Sequence, residues 1–167
     1  MGVLGTWRGA LELEAAGVLS RRPRVCCLQQ ASCAPMVAAW RSGATSISPH
    51  HIVAHPSGPA RAILRGDPST TYPYIREIVC ASHGAFEAVD TAEIAAAQSL
   101  LRDAEGLYVC AASACTLAAL RKLLRTGTVR QGETVLLNLT GGDREPGHPT
   151  RLTRLRRVEG RWAAQPE

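Results

Sequence analysis

The chain has 167 residues, 46% of them apolar but only 4% aromatic, with a formal net charge of +5. That length suits one domain with a buried core, here supplied mainly by alanine and leucine. Much of the charge excess sits in Arg151, Arg154, Arg156, Arg157 and Arg161, and without a basic stripe interleaved with aromatics the composition argues against a nucleic-acid partner.

No apolar run is long enough to span a membrane. Glu12 and Glu14 interrupt the N-terminal apolar stretch, where a signal peptide would need an unbroken core. The expectation is a cytoplasmic protein. None of the six cysteines (Cys26, Cys27, Cys33, Cys80, Cys110 and Cys115) has CxxC spacing, so buried free thiols are expected. The opening MGVLGT fits the myristoylation pattern, which is too short to carry weight alone.

In chain order, Gly2, Gly5 and Gly9 make a glycine-spaced opening, followed by an amphipathic helical stretch through Gly17. Glycines just ahead of a helix let backbone N–H groups approach an anion, so the GVLGT segment has the chemistry of a phosphate cradle; a plain glycine-rich N-terminus is the simpler alternative. A strand follows over Arg24–Gln29, then a helix from about Ala34 to Ser42. Pro49, Pro56, Gly58 and Pro59 break the next segment into irregular structure. One helical turn is expected over Ala60–Leu64.

A helix over Tyr74–Ser82 is read as stopped by Gly84. Phe86–Val89 is a short strand. Asp90 with Glu93 forms a capping box, after which Ile94, Ala97 and Leu101 line one helical face. Leu107–Val109 reads as another short strand. The helix Ala112–Arg125 ends at Gly127, with Leu117, Leu120 and Leu124 assigned to its core face. Thr134–Leu139 has the near-continuous apolar character of a buried parallel strand. Beyond Asp143, prolines and arginines suggest a mobile basic tail, with a weak final strand around Leu152 and Leu155. Strands alternating with helices give the fold class: α/β, a parallel twisted sheet with helices on both faces.

In open α/β sheets a ligand sits beyond the carboxyl ends of the strands, which singles out Thr140-Gly141-Gly142. A simple strand-to-loop turn is the plainer reading. His50, His51 and His55 lie in a proline-rich loop without a matching fourth ligand, so they read as solvated and no metal site is assigned. His83 reads as a charge at a helix C-terminus, and Asp103 and Glu105 as solvated carboxylates.

Six segments in order, GVLGT, PRVCCLQQASCAPMVAAW, ARAILRGDP, SHGAFEAVDTAEI, AEGLYVCAASACTLAAL and LLNLTGG, resemble the C-terminal part of fold-type-II pyridoxal-phosphate enzymes, nearest to threonine synthases and cysteate synthases. The resemblance runs from Gly2 to about Gly142, leaving 143–167 as the tail. It implies part of that family's large domain, with pyridoxal 5′-phosphate as cofactor and an amino acid as substrate. It implies that Gly2, Val3, Leu4, Gly5 and Thr6 bind the cofactor phosphate, that Thr140 bonds the pyridine nitrogen, and that Ala60–Pro68 lies toward the substrate.

The chain departs from the family pattern at Cys110 and Ala111, where an acid and a proline are usual. The part of the family that carries the Schiff-base lysine has no counterpart here. The only lysine, Lys122, lies on a helix and is expected to face solvent. The leading expectation is therefore a truncated or split threonine-synthase-like enzyme for amino-acid β- or γ-elimination or replacement, inactive alone and with no catalytic residue of its own assigned. Two alternatives stay open. One is a non-catalytic assembly partner of a separately encoded N-terminal half, or a homodimer; the other is a nucleotide-binding α/β module.

Overall fold

The computed structural model describes residues 2–143 and the backbone of two short strands at 155–158 and 161–164. Strands β1 (Cys26–Gln30) and β2 (Ala85–Val89) pair in parallel, Cys26 opposite Ala85 and Gln30 opposite Val89. Parallel neighbours need a crossover. Helices α2 (Pro35–Arg41) and α3 (Tyr72–Ala81) lie within it. Helix α1 (Gly2–Ala15) precedes the sheet, and α4 (Thr91–Glu105) and α5 (Ala111–Arg125) follow it.

The period-2 pleat sends alternate side chains to opposite faces. Phe86 and Ala88 pack with Val37, Tyr72 and Val79 of α2 and α3. Val89, with Leu28, packs instead with Ile94, Ala97, Leu101, Ala118 and Ala119 of α4 and α5. Helices thus cover both faces of the sheet, as the alternation of elements implies.

Two glutamines at the end of β1 tie this sheet to its loops. Gln29 Oε1 accepts the Met36 and Val37 N–H groups, at 2.9 and 3.1 Å, capping the start of α2. Gln30 Nε2 donates to the Ser57 carbonyl at 2.8 Å while its Oε1 accepts the Ala60 N–H at 3.0 Å. Both glutamines are buried, and pairing of this kind is what makes burying an amide tolerable.

The turn between α3 and β2 differs in detail from the sequence reading. His83, not Gly84, takes the left-handed conformation, with φ of 54°. Gly84 is needed for a different reason: a Cβ there would lie 1.9 Å from the Val25 carbonyl oxygen. The α4 capping box forms as expected, Asp90 accepting the Glu93 N–H at 2.7 Å and Glu93 accepting the Asp90 N–H at 3.0 Å.

Other expectations are corrected. Leu107–Val109 is no strand; it contributes one antiparallel bridge, Val109 to Gly142. Residues 134–139 lie outside any strand. A buried parallel strand needs a neighbour, and β1 and β2 pair only with each other among the described residues. Leu136 is consequently 82% exposed. On α5 the core face is Cys115, Ala118, Ala119 and Leu123, while Leu117 and Leu120 are half-buried and Leu124 is exposed. Small side chains let α5 come close to α4 and the sheet. The tail carries an antiparallel hairpin, β3 (Leu155–Val158) with β4 (Arg161–Ala164), and Leu152 lies outside the described residues. All six cysteines are free, but Cys80 is exposed. No helix among the described residues is long and apolar enough to cross a membrane.

His51 is buried rather than solvated. Its Nδ1 accepts the Ser48 N–H at 3.1 Å, and its Nε2 lies 3.4 Å from Ser42 Oγ. Burial, and then His50 beside it, lowers its pKa below the ordinary value of 6.5. The unfolded chain therefore takes up the proton more readily, and protonation at Nδ1 removes the Ser48 bond. The His51 contribution to stability is complete above the unfolded pKa and is lost as pH falls below it. Urea unfolding at pH 7.5 and 5.0 should show a larger loss of stability on acidification in the wild type than in His51→Gln. Equal losses would rule this account out.

Candidate functional site

The best-built polar constellation lies at the N-terminus of α5. Gly106, with φ of 66°, closes α4 in the left-handed conformation that glycine adopts at low cost. Cys110 is extended, with φ −67° and ψ 160°, and is the last residue before α5 begins. The chain returns across this point at 141–143, antiparallel to 108–110. Cys110 N–H donates to the Gly141 carbonyl, and Asp143 N–H to the Tyr108 carbonyl, each at 3.0 Å.

Ser113 locks the crossing from below. It is 5% exposed, and its Oγ accepts the Gly141 N–H at 2.9 Å. The Cys110 thiol donates to the same oxygen at 3.6 Å. A Cβ at 141 would lie 2.6 Å from Cys110 Sγ and 3.3 Å from Ser113 Oγ, so a side chain there would require the Cys110 thiol to turn away or the segment to shift. Thr140, one peptide earlier, is exposed. Burial pushes the Cys110 thiol pKa up, but the Ser113 N–H, the Ser113 hydroxyl and the Ala112 N–H outweigh it, leaving the pKa below its ordinary value. Amides at a helix start favour an anion in this way. The other thiols of the interior go the opposite way: burial raises Cys27 to about 12 and Cys115 to about 11.

The remaining residues singled out by the sequence lie elsewhere. Gly2, Val3, Leu4, Gly5 and Thr6 do not form a loop ahead of a helix; they are the first turns of α1 itself. Only the opening N–H groups of that helix lack an intrahelical acceptor. Helix α1 packs on α3, where Leu4, Trp7, Tyr74, Glu77, Ile78 and Ala81 line a shallow cavity of about 260 Å³. The Ala60–Pro68 segment contains a single turn, Arg61–Ile63, and Ala60 and Ile63 belong to the core beside α5.

Lys122 is not a free surface amine. Its Nζ donates to the Ala88 carbonyl at 2.7 Å, and lies 3.5 Å from Glu87 and 3.9 Å from Glu93. Arg41 reaches the same Glu87 at 2.6 Å, and Arg125 reaches Glu93 at 3.0 Å. The lysine side chain is 31% exposed. Nine residues of helix separate it from Ser113, about 14 Å at 1.5 Å per residue. Lys122 and the Ser113 crossing therefore occupy opposite ends of α5. Among the described residues no group of three or more His, Cys, Asp or Glu side chains could hold a metal.

Ser113 was not singled out from the sequence. The available signal was the small-residue run Ala111–Ala114, which marks a close approach without saying which hydroxyl is used.

Comparison with known proteins bears on this site. The family model described as pyridoxal-phosphate dependent enzyme matches residues 2–141. The threonine synthase of Methanocaldococcus jannaschii is 35% identical over 135 residues, covering 81% of this chain and 32% of that protein. The threonine synthase of Mycobacterium leprae is 36% identical over 135 residues, covering 81% of this chain and 34% of its own. The chain thus spans about a third of the length of these relatives. Among solved structures, a T.th. threonine deaminase superposes with a TM-score of 0.59 at 23% identity, over 83% of this chain and 46% of that one. At that identity the likeness concerns the fold alone.

Proposed function

The chain belongs to the pyridoxal-phosphate-dependent enzyme family, and from that premise we propose that it supplies the ring-nitrogen side of the cofactor site, through Thr140, in a threonine-synthase-like enzyme. The reaction is elimination or replacement at the β or γ carbon of an amino acid. One observation supports this reading above the rest: the crossing of 141–143 over the start of α5, locked by Ser113, which leaves Thr140 exposed beside it.

The residues present fit one side of the cofactor. A threonine hydroxyl donates to a pyridine nitrogen without giving up its proton, so the ring nitrogen stays largely unprotonated. When bound, the cofactor supplies an electron sink for negative charge developing beside the amino group of the substrate. A ring held by a neutral hydroxyl is the weaker sink, which suits elimination and replacement. On the phosphate side, the amides of Gly2, Val3, Leu4 and Gly5 at the α1 N-terminus would be the donors in place of a loop, with the Thr6 N–H used inside the helix. On the amine side, nothing fits. Lys122, at the far end of α5 and held by the Ala88 carbonyl, is not the lysine that carries the cofactor, and this chain by itself turns over no substrate.

A second reading, assembly with further polypeptide, is favoured by residues 134–139. Leu137 and Leu139 are half-buried whereas Leu136 and Asn138 are exposed, an alternation that covers only 136–139, because Val135 is exposed too. This short strand-like stretch has no strand neighbour among the described residues. The relatives are about three times as long as the matched part, so the occupant is the rest of the family's length. Co-expression with the unmatched part of the M. jannaschii threonine synthase should yield a complex that Leu136→Lys weakens. A complex indifferent to that change would remove this reading.

The Thr140 assignment is tested with pyridoxine 5′-phosphate, which has the ring and phosphate but no aldehyde. Thr140→Val should weaken its binding by about two- to tenfold, the worth of one hydrogen bond, and Lys122→Met should leave it unchanged. Equal affinity in Thr140→Val and wild type, or no binding by the wild type, overturns the proposal.

A further inference from the structure

We propose that Ser113 is a positioning residue for Thr140, acting through a latch made of its own hydroxyl, the Cys110 thiol and the side-chain-free backbone of Gly141. This rests on the reading of Thr140 given above and extends it to residues that touch no cofactor.

The latch follows from how few ways the 140–143 segment is held. Residues 134–139 lie outside any strand, so nothing upstream supplies a ladder to orient Thr140. On that side Thr140 is tethered only by Leu139, which packs against the core cluster, and its polar anchoring comes from the next residue. Gly141 is gripped on both polar groups: its carbonyl accepts the Cys110 N–H at 3.0 Å, and its N–H donates to Ser113 Oγ at 2.9 Å. The N–H of Gly141 and the carbonyl of Thr140 belong to one planar peptide. Fixing that N–H fixes the plane from which the Thr140 side chain departs.

The chemistry of the three residues matches the task. Ser113 Oγ has two lone pairs, one for the Gly141 N–H and one for the Cys110 S–H. Because Ser113 is 5% exposed, water cannot readily replace either partner. Ser113 sits on the first turn of a fifteen-residue helix packed into the core, so its hydroxyl is anchored to the most rigid part of the molecule. Cys110 completes the grip by filling the volume that a Cβ at 141 would need. A larger residue at 141 would have to displace the Cys110 thiol or move the segment off Ser113.

The test is a double-mutant cycle read by two measurements. Hydrogen exchange followed by NMR should show the Gly141 amide protected in the wild type. In Ser113→Ala that protection should fall about tenfold or more, roughly the loss of one buried hydrogen bond, and Ser113→Thr should restore it. Pyridoxine 5′-phosphate titration supplies the second readout. Ser113→Ala should weaken binding about as much as Thr140→Val, and should have no further effect in the Thr140→Val background. Cys110→Ala, which leaves the Ser113–Gly141 bond in place, should give an intermediate loss.

A Gly141 amide whose exchange ignores Ser113→Ala overturns the latch, as does a Ser113→Ala effect equally large in both Thr140 backgrounds. If the wild type binds no pyridoxine 5′-phosphate while Gly141 protection depends on Ser113, the functional assignment of Thr140 falls, and with it the role of the latch in positioning that residue.

Discussion

Helix α5 is the constraint on which the rest of the molecule depends. One flank is made of Cys115, Ala118 and Ala119, small enough to seat it against α4 and under the sheet. Its N-terminus receives the returning chain at Gly141, and near its C-terminus Lys122 binds the Ala88 carbonyl of β2. A rigid rod of fixed rise per residue thus holds the segment carrying Thr140, the proposed ring-nitrogen partner, apart from the chain's only lysine. No rearrangement of side chains alone brings them together.

Lys122 is instead explained by the sheet. The Ala88 carbonyl it binds belongs to β2, and its charge is balanced by Glu87 and Glu93, which also meet Arg41 and Arg125. Glu87 and Glu93 have other duties, in the sheet and in the α4 capping box. The cations around them are consumed locally and present no patch for an anionic ligand.

Much of the fold was legible in the residues. The strands read at Arg24–Gln29 and Phe86–Val89, which form over Cys26–Gln30 and Ala85–Val89, the capping box at Asp90 and Glu93, and the inward face Ile94, Ala97, Leu101 depend on local pattern, and local pattern decided them. The failures share one cause. Residues 134–139 look like a buried strand because their composition is that of one, but burial depends on neighbours that a window of sequence does not contain. Leucine outranked alanine in assigning the α5 face, whereas close packing selected alanine. Gly2 and Gly5 were read as loop glycines, yet each has open space around it and continues the helix. At the site, Thr140 stood out through its place after an apolar run. Ser113 did not, because its importance lies in a partner twenty-eight residues away in sequence.

The central claim is that this chain holds the ring-nitrogen partner of the cofactor and not the amine that carries it. The most direct measurement is borohydride reduction of the chain after incubation with pyridoxal phosphate, followed by peptide mass spectrometry. The account predicts no stoichiometric pyridoxyl group on Lys122 of the folded protein. Full labelling of Lys122 that disappears on unfolding would contradict it.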